Sequence, residues 1–445
     1  MSLLEEVFKG PFSSGWCEIP HMYATASHHS HLWYKEVTDR YGPIARVGPN
    51  DLITSSPELL VHMSAPGRDH IFSVVDEEKH TKRRQQMAAG YSGKENTDLE
   101  PTIDKYVTEF VDLIRQKYIS TTTVSKSMDL ARKSQFLVMD VISEIGFGRA
   151  FGNLASDTDV DAYLASTEEI LRTMSVVCAS DILRRIIQWP PLARLLGPNE
   201  ASKSGVGKVM GTARKLIDDR LKMETDSKTD MLVAFMRHGL NREDLFTEAW
   251  VQIIAGSETT ASAIRGTMLY LITNARVYRK LQREIDDTLA AGLAPEVVPD
   301  TITRDLVYLQ AKVPKGGDTV FVEGKSVFLP GGTNVGYSVN GLHHRKDILG
   351  EDAELFRPER WIGGGDVDWI TEMKRTTELI FGYGKYQCLG KNIAWMEYSK
   401  AVFELLRNFD FAVADPLDCF HEKNCVGTFV CEGLWVLVTD RTDKY

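Results

Sequence analysis

The residues best suited to chemistry lie in a glycine-rich segment near the C-terminus, FGYGKYQCLGKNIAW, at positions 381–395. Gly384 and Gly390 have no side chains, so the backbone around them can lie close to a flat ligand. An amphipathic helix is predicted to begin directly after Cys388, and the amide groups at a helix N-terminus stabilise a thiolate. This pattern predicts a metal-ligating cysteine. The alternative is a buried cysteine beside a glycine turn, which is the commoner role of an isolated cysteine.

A second group of chemically capable residues is AGSETTA, at positions 255–261 in the middle of the longest predicted helix. At about 100° per residue, Ala255, Glu258 and Thr259 share one helical face. A carboxylate beside a threonine in an apolar helix costs free energy unless it has a partner or a function. The alternative is a tolerated polar spot in which the threonine hydroxyl bonds back to the preceding turn.

Taken together, the two segments resemble signatures of the cytochrome P450 family. The pattern F-x-x-G-x-x-x-C-x-G, from Phe381 to Gly390, resembles the haem-binding loop, and residues 255–260 resemble the oxygen-activating segment A/G-G-x-D/E-T-T/S. The resemblance covers nearly the whole chain, and in detail it is similar to filamentous-fungal, pisatin demethylase-like members. It implies a mainly α fold with a small β portion, in which haem is buried between the long central helix and the cysteine loop.

The resemblance also implies roles for individual residues. Cys388 would be the only protein ligand of the iron of haem b (iron protoporphyrin IX), and Ala255 and Gly256 would face the opposite side and leave room for dioxygen. Thr259 and Glu258 would be the catalytic residues that position oxygen and relay protons, because oxygen activation needs protons on one side of the iron and an electron donor on the other.

Further residues are expected to hold the cofactor. His80 and Arg84, one helical turn apart, resemble the family's pair at a haem propionate. The family often has Arg or His where this chain has Tyr386. A phenol donates one hydrogen bond but carries no charge there, so propionate binding must depend on other residues.

Two weaker similarities concern the fold and the substrate. FRPERW places Arg360 where the family has a buried arginine that locks the fold, and VGTFV places Thr428 and Phe429 at the sheet turn that lines the substrate pocket. The E-x-x-R helix that should precede the strands near residue 320 is absent. We therefore expect that residues are missing from the sequence near 311/312, and also near 65/66.

The surrounding elements are predicted from hydrophobic spacing and capping residues. The longest helix is predicted to run from Asn241, as its N-cap, to about Thr273, and another helix is predicted to start at Asp129. Helical spacing also dominates from residue 76 to about 116 and from 159 to about 185. Alternation predicts a hairpin within residues 44–56 and short strands from 319 to 337 and from 409 to 438.

Composition excludes several classes of protein. A net charge of −10 over 445 residues argues against a nucleic-acid-binding protein, and we expect one domain over residues 1–445. None of the six cysteines forms a C-x-x-C pair, which excludes a structural zinc site and favours a reducing compartment. The cluster at 28–31, HHSH, is expected to be surface histidines rather than a metal site.

The predicted activity is insertion of one atom of O₂ into a small apolar organic substrate, with electrons from NADPH delivered by NADPH-cytochrome P450 reductase. Lys82, Arg83, Lys385 and Lys391 are expected to present positive charge to that acidic partner. The resemblance implies a monomer at the cytosolic face of the endoplasmic reticulum, held by an N-terminal anchor that this chain lacks. The alternatives are a haem-thiolate isomerase or peroxygenase, which needs no reductase, and a non-catalytic haem-binding protein.

Overall fold

The computed structural model describes residues 9–49, 51–63, 77–187, 189–192, 205–222, 230–294, 296–306, 334–362, 367–425 and 428–441. Most of them are helical. The helices are α1 (Ile19–Ala26), α2 (Ser30–Tyr41), α3 (Pro57–Met63), α4 (Glu77–Tyr91), α5 (Leu99–Lys117), α6 (Leu130–Phe147), α7 (Asn153–Ser156), α8 (Tyr163–Cys178), α9 (Asp181–Ile187), α10 (Gly205–Leu221), α11 (Met231–Arg237), α12 (Arg242–Thr273), α13 (Ala275–Ala290), α14 (Asp300–Asp305), α15 (Val339–Leu342), α16 (Lys346–Leu349), α17 (Val367–Glu378) and α18 (Lys391–Asn408).

The short strands of the described residues form three small sheets. The strands are β1 (Ile44–Arg46), β2 (Asp51–Thr54), β3 (Ser127–Asp129), β4 (Asn334–Tyr337), β5 (Phe409–Val413), β6 (His421–Cys425), β7 (Thr428–Glu432) and β8 (Trp435–Asp440). The strand orders are β1-β2-β4, β3-β8-β5 and the hairpin β6-β7. Among the strands that the structure describes, β2 and β4 pair in parallel and the other pairs are antiparallel.

The longest helix, α12, lies at the centre of the molecule and packs mainly against α6 and also against α18. Side chains from several helices form one continuous apolar cluster around it, for example Phe110, Leu137, Ile264 and Phe403, each almost inaccessible to water. Burying a side chain of this size stabilises the fold by about 1.5–3 kcal/mol relative to exposing it. The cluster therefore fixes the segment that carries residues 255–261 against the helix that follows the cysteine.

Capping residues were the most reliable sequence signals. The Asn241 side chain accepts from the amide of Asp244 at 3.0 Å and starts α12, as predicted. The Asp129 side chain caps α6 in the same way, by accepting from Arg132. The hairpin of β1 and β2 and the C-terminal strands are confirmed.

Two long predicted helices are instead divided. The segment 76–116 breaks between α4 and α5, where Gly93 adopts φ of +72°, and a helix cannot continue through that left-handed conformation. The segment 159–185 divides into α8 and α9, and their N-terminal side carries Asp161 and Ala162 at positive φ. Hydrophobic spacing continued through both breaks, so it did not reveal them.

Several expectations fall outside the described residues. These are the segments expected near 65/66 and 311/312 and the strands predicted between 319 and 333. Of the strand region predicted from 319 to 337, the structure describes only the end, which forms β4. Within the described part of the chain, no helix has the length and apolar character needed to cross a bilayer.

Candidate active site

The cysteine loop is closed by its own backbone. The amide of Cys388 donates to the carbonyl of Phe381 at 2.7 Å, and a short turn, Gly384–Tyr386, lies between them. Gly384 has φ of +59°, a conformation that side chains strongly disfavour, so glycine is needed there for backbone shape. At Gly390, an added Cβ would lie 3.9 Å from the Cys388 sulfur, which is an ordinary contact. The loop therefore presents Cys388 on a defined frame.

The Cys388 thiol is open to solvent on one side and lies at the N-terminus of α18. The surrounding protein raises the pKa of this thiol by desolvating it. The backbone amides of Gly390 and Lys391, which donate to the sulfur, and the nearby Arg84 cation act in the opposite direction and lower it. These donors also tune how strongly the sulfur gives electron density to a bound metal.

Helix α4 brings His80 and Arg84 to the same loop, as predicted. The His80 ring packs on the Tyr386 ring with centroids 4.8 Å apart, and burial lowers the pKa of His80. In the part of the chain that the structure describes, Arg84 forms no ion pair, and the buried Nδ1 atom of His80 has no hydrogen-bond partner. A cation and a polar ring atom without protein partners in the described residues, both beside the Cys388 thiol, suit the acidic edge of a cofactor.

On the central helix, Ala255 and Thr259 form an exposed strip. The Thr259 hydroxyl donates to the carbonyl of Ala255 at 2.7 Å, which is the back-bonding that the alternative interpretation expected. The hydroxyl oxygen still has lone pairs to accept a further hydrogen bond. At Gly256, an added Cβ would lie 3.0 Å from Ile142, so this glycine lets α12 approach α6 closely.

The structure separates Glu258 from the exposed strip that the helical spacing had grouped with it. Its carboxylate is 0% exposed, lies 3.0 Å from Arg265 through one oxygen and accepts from the Gln135 amide through the other. Burial raises the pKa of Glu258, while the charge and hydrogen bond of Arg265 lower it in part. Glu258 is thus an ion-paired interior carboxylate one residue before an exposed threonine.

A link between the cysteine loop and the central helix was missed in the sequence. Gln252 donates to the hydroxyl of Tyr91 at 2.8 Å, and the Tyr91 ring lies within 3.9 Å of the position of a Cβ on Gly390. Burial raises the pKa of Tyr91, so its hydroxyl stays protonated. Gln252 lies one turn before the exposed strip of α12, and a polar side chain at that position was the available signal.

The predicted pocket residues lie at the start of β7, and one of them reaches the central helix. The carbonyl of Phe429 accepts from the Ser262 hydroxyl at 2.9 Å and from Arg265 at 2.5 Å. Thr428 pairs across the hairpin with Cys425. Phe429 therefore meets α12 one turn beyond Thr259, whereas the described contacts of Thr428 are within the hairpin.

His31 contradicts the expectation of surface histidines. Its side chain is 11% exposed, and its ring lies edge-on to the Phe429 ring with centroids 5.0 Å apart. Periodicity could not show this, because the contact joins residues almost 400 positions apart in the sequence. Among the described residues, no cluster of His, Cys, Asp or Glu is arranged to hold a metal ion.

Arg360 is buried, as expected. It donates to the carbonyls of Leu349, Asp352 and Leu355 at 2.5, 2.7 and 2.9 Å, and its side chain lies 3.3 Å from the Asp352 carboxylate. It thereby ties together the loop that leads to the cysteine segment. Arg360 also lines a cavity of about 300 Å³ next to the C-terminal half of α12.

The expected basic surface for a redox partner is partly wrong. Arg83 pairs with Asp244 and Glu248 at 2.5 and 2.8 Å, and Lys391 pairs with Glu378 at 2.9 Å. Those two cations form ion pairs that hold elements of the fold together. Because their charge is neutralised by carboxylates of the same chain, it is little available to a redox partner. Of the four residues, Lys82 remains exposed, and the side chain of Lys385 lies outside the described residues.

Comparison with known proteins shows the family to which the chain belongs. The family model described as "Cytochrome P450" matches residues 54–314 and 303–430. The chain therefore belongs to the cytochrome P450 family, and it is an oxidoreductase of the monooxygenase class with a haem-iron cofactor. Its mainly α fold with a small β portion is the fold expected of that family.

Similar proteins come from filamentous fungi. The cytochrome P450 monooxygenase ABA1 of Pyricularia oryzae is 36% identical over 425 aligned positions, which cover 86% of this chain and 82% of that protein. The aba1 monooxygenase of Botryotinia fuckeliana is 33% identical over 447 positions, covering 91% of this chain and 86% of that protein. A cytochrome P450 monooxygenase of Aspergillus terreus is 29% identical, covering 90% of this chain and 89% of that protein.

Proposed function

We propose that Cys388 ligates the iron of haem b and that Arg84, His80 and Tyr386 hold the propionate edge of the cofactor. The observation that carries this proposal is the surroundings of the Cys388 sulfur, where two helix amides and the Arg84 cation stabilise negative charge. When bound, haem supplies the oxygen chemistry. Phe381, Gly384 and Gly390 give the loop the shape that presents the sulfur.

The opposite side of the site belongs to Ala255, Gly256 and Thr259. The Thr259 hydroxyl donates to the Ala255 carbonyl in the structure, so it would position oxygen and supply a proton to it by turning its O–H away from that carbonyl. Glu258 is the source from which Thr259 is reprotonated. A buried carboxylate with a raised pKa can hold a proton nearer to neutral pH than an exposed one.

The proposed reaction inserts one atom of O₂ into an organic substrate and releases the other as water. The electrons come from NADPH through NADPH-cytochrome P450 reductase at the cytosolic face of the endoplasmic reticulum. Thr428 and Phe429 lie at the hairpin that approaches the distal side, and the aromatic ring of Phe429 suits a small apolar substrate. Because the relatives are fungal monooxygenases, a secondary metabolite or steroid-like molecule is the proposed substrate class.

Three measurements test this function. The reduced protein with carbon monoxide is expected to show the far-red-shifted Soret band of thiolate ligation, and a histidine-type spectrum would refute Cys388 as the ligand. Spectral shifts with terpenoid, steroid, alkaloid and polyketide compounds then identify a substrate.

Turnover of that compound with NADPH, O₂ and reductase is expected, whereas turnover with peroxide alone would favour a peroxygenase. Turnover without NADPH or peroxide would favour an isomerase, and no turnover would favour a non-catalytic protein.

A further inference from the structure

Arg265 is a wholly buried cation on α12, two turns after Glu258. One of its terminal nitrogens meets three oxygens: Glu258 at 3.0 Å, the Ser262 hydroxyl at 2.7 Å and the Phe429 carbonyl at 2.5 Å. In the described part of the chain, its other two guanidinium nitrogens have no hydrogen-bond partner. The interactions of this buried charge are thus concentrated at one nitrogen atom, which lies between the Glu258 carboxylate and the backbone of β7.

The strand backbone at that point belongs to the hairpin of β6 and β7. Ser262 also donates to the Phe429 carbonyl, at 2.9 Å, so two residues of α12 hold the same carbonyl. The far side of the hairpin is held by α2, where the His31 ring packs on Phe429 and Ser30 donates to Asn424 at 3.3 Å. The hairpin therefore has a polar attachment to the central helix and a separate one to α2.

The other charged groups around Glu258 do not replace Arg265. From α8, Glu168 opposes ionisation of Glu258, and Glu168 is itself paired with Arg132 at 2.8 Å and lies 3.9 Å from Arg172. From α6, the Gln135 amide donates a neutral hydrogen bond. From β6, the buried Cys425 thiol is neutral, since burial raises its pKa. Arg265 is thus the cation in direct contact with the Glu258 carboxylate among the described residues.

We propose that Arg265 is a positioning residue that joins the Glu258 carboxylate to the pocket strand β7, so that the position of the Phe429 carbonyl controls the ionisation of Glu258. This inference rests on the proposed role of Glu258 in proton supply. When the Phe429 carbonyl is in place, it and the Glu258 carboxylate both accept hydrogen bonds from Arg265. When β7 moves and the carbonyl withdraws, Arg265 donates more strongly to Glu258, because a buried cation redistributes its hydrogen bonds among the acceptors that remain. Substrate contact at the hairpin thereby reaches the proton source.

The test uses the haem-loaded protein and two readouts that do not depend on turnover. Infrared difference spectra against Glu258→Gln report the C=O stretch of protonated Glu258 as a function of pH. Amide hydrogen exchange reports the mobility of residues 421–432. Arg265→Met removes the charge with little change in length, Arg265→Lys keeps the charge, and Ser262→Ala removes the second donor to the Phe429 carbonyl while leaving the ion pair.

In Arg265→Met, the proton concentration that half-protonates Glu258 is expected to fall by about tenfold or more, because a contacting opposite charge shifts a carboxyl equilibrium by at least that factor. Exchange in the hairpin is expected to accelerate in the same variant. Arg265→Lys is expected to restore the Glu258 titration. Ser262→Ala is expected to accelerate hairpin exchange and to raise the proton concentration that half-protonates Glu258, because the guanidinium loses the Ser262 acceptor and donates less to the loosened Phe429 carbonyl.

An unchanged Glu258 titration in folded Arg265→Met would overturn the proposal, and so would unchanged hairpin exchange. Should Arg265→Met fail to fold, the other two variants decide. Arg265→Lys must leave the Glu258 titration as it is in the unchanged chain, and Ser262→Ala must both loosen the hairpin and shift that titration; if any of these does not occur, the proposal is wrong. Failure of the proton relay itself would appear separately, as unchanged turnover in Glu258→Gln, and would leave both readouts for Arg265 intact.

Discussion

Cys388 supplies a sulfur atom that the amides of Gly390 and Lys391 prepare for negative charge. Cys388→Ala offers no lone pair to iron, so we expect the purified variant to lose most of its haem and the far-red Soret band with carbon monoxide. The haem-to-protein ratio measures this loss. Cys419→Ala is a suitable control, since Cys419 is a partly exposed cysteine outside the loop, and it should retain full haem content. Equal haem content in both variants would exclude Cys388 as the ligand.

Thr259 is exposed, and its hydroxyl contacts only the Ala255 carbonyl among the described residues. Thr259→Ala removes the hydroxyl, so we expect NADPH consumption to continue while product per NADPH falls by about a hundredfold, the usual contribution of a general acid–base group. The missing product should appear as hydrogen peroxide. Thr259→Ser keeps the hydroxyl and should retain most of the coupling. The proposed relay is wrong if the alanine and serine variants couple equally well.

Among the elements, α4 is expected to hold the cofactor through Arg84. Arg84→Leu leaves an acidic propionate without its cation, and a hydrogen bond to a charged group contributes about 1.5–3 kcal/mol. We therefore expect haem retention in gel filtration to fall by about tenfold or more. Lys82→Leu makes the same chemical change on the exposed side of α4 and should retain haem. A similar loss in both variants would show that the effect belongs to helix stability rather than to the propionate.

A second prediction at this scale concerns the additional segment that we expect near 311/312. The family model matches in two stretches that overlap at residues 303–314, and an alignment of 447 positions with a relative covers only 91% of the 445 residues. In the same region, Arg360 lines a cavity with His343 and Trp395. Among the described residues, the buried Nε2 atom of His343 has no partner, and burial lowers the pKa of His343 to about 4.

We expect sequencing of the full-length transcript to reveal additional codons near 311/312, and near 65/66, with an E-x-x-R pattern in the first of them. The added helix would place a carboxylate near Arg360 and fill the cavity, and filling a cavity of this kind stabilises a fold by several kcal/mol. The thermal midpoints of the longer and shorter chains measure the effect. A transcript that encodes the present sequence would contradict the expectation, and full haem binding by that chain would show that the helix is dispensable.

For the molecule as a whole, the prediction concerns an apolar surface formed by two segments. Phe12, Trp16 and Tyr23 are at least 66% exposed, as is Ile182. Ser180 donates to Glu18 at 2.9 Å and so holds the N-terminal segment beside α9. A large exposed apolar surface favours a membrane interface. This surface, rather than a spanning helix, is the part of the described chain suited to lipid.

We expect the protein to sediment with vesicles that contain anionic lipid, because the exposed Arg185 lies on the same short helix as Ile182. The double variant Trp16→Ser/Ile182→Ser should bind at least tenfold more weakly, since tenfold corresponds to about 1.4 kcal/mol and each large apolar side chain contributes about 1.5–3 kcal/mol when fully buried. Leu417→Ser is the control, because Leu417 is 98% exposed and lies outside this surface. Equal losses in both variants would mean that exposed apolar residues act without regard to position.

The sequence by itself determined the features that depend on local chemistry. The glycine spacing around Cys388, the caps at Asn241 and Asp129, and the β1–β2 hairpin follow from which residues can adopt a given backbone or satisfy a helix end. These are short-range effects, so the residues involved are close in the sequence. They were sufficient to predict the family, the candidate haem ligand and the two helices on either side of the site.

Only the tertiary structure decided how polar residues are paired. Helical spacing placed Glu258 with Thr259, but packing against α6 buried the carboxylate beside Gln135 and Arg265. The same applies to Arg83, which appeared to be free surface charge and is held by Asp244. A buried charge takes whichever partner the fold brings within about 3 Å, and that partner can lie anywhere in the chain. Sequence spacing contains no information on such distances, so ion pairs and the hairpin contact of Phe429 emerge only when the helices pack.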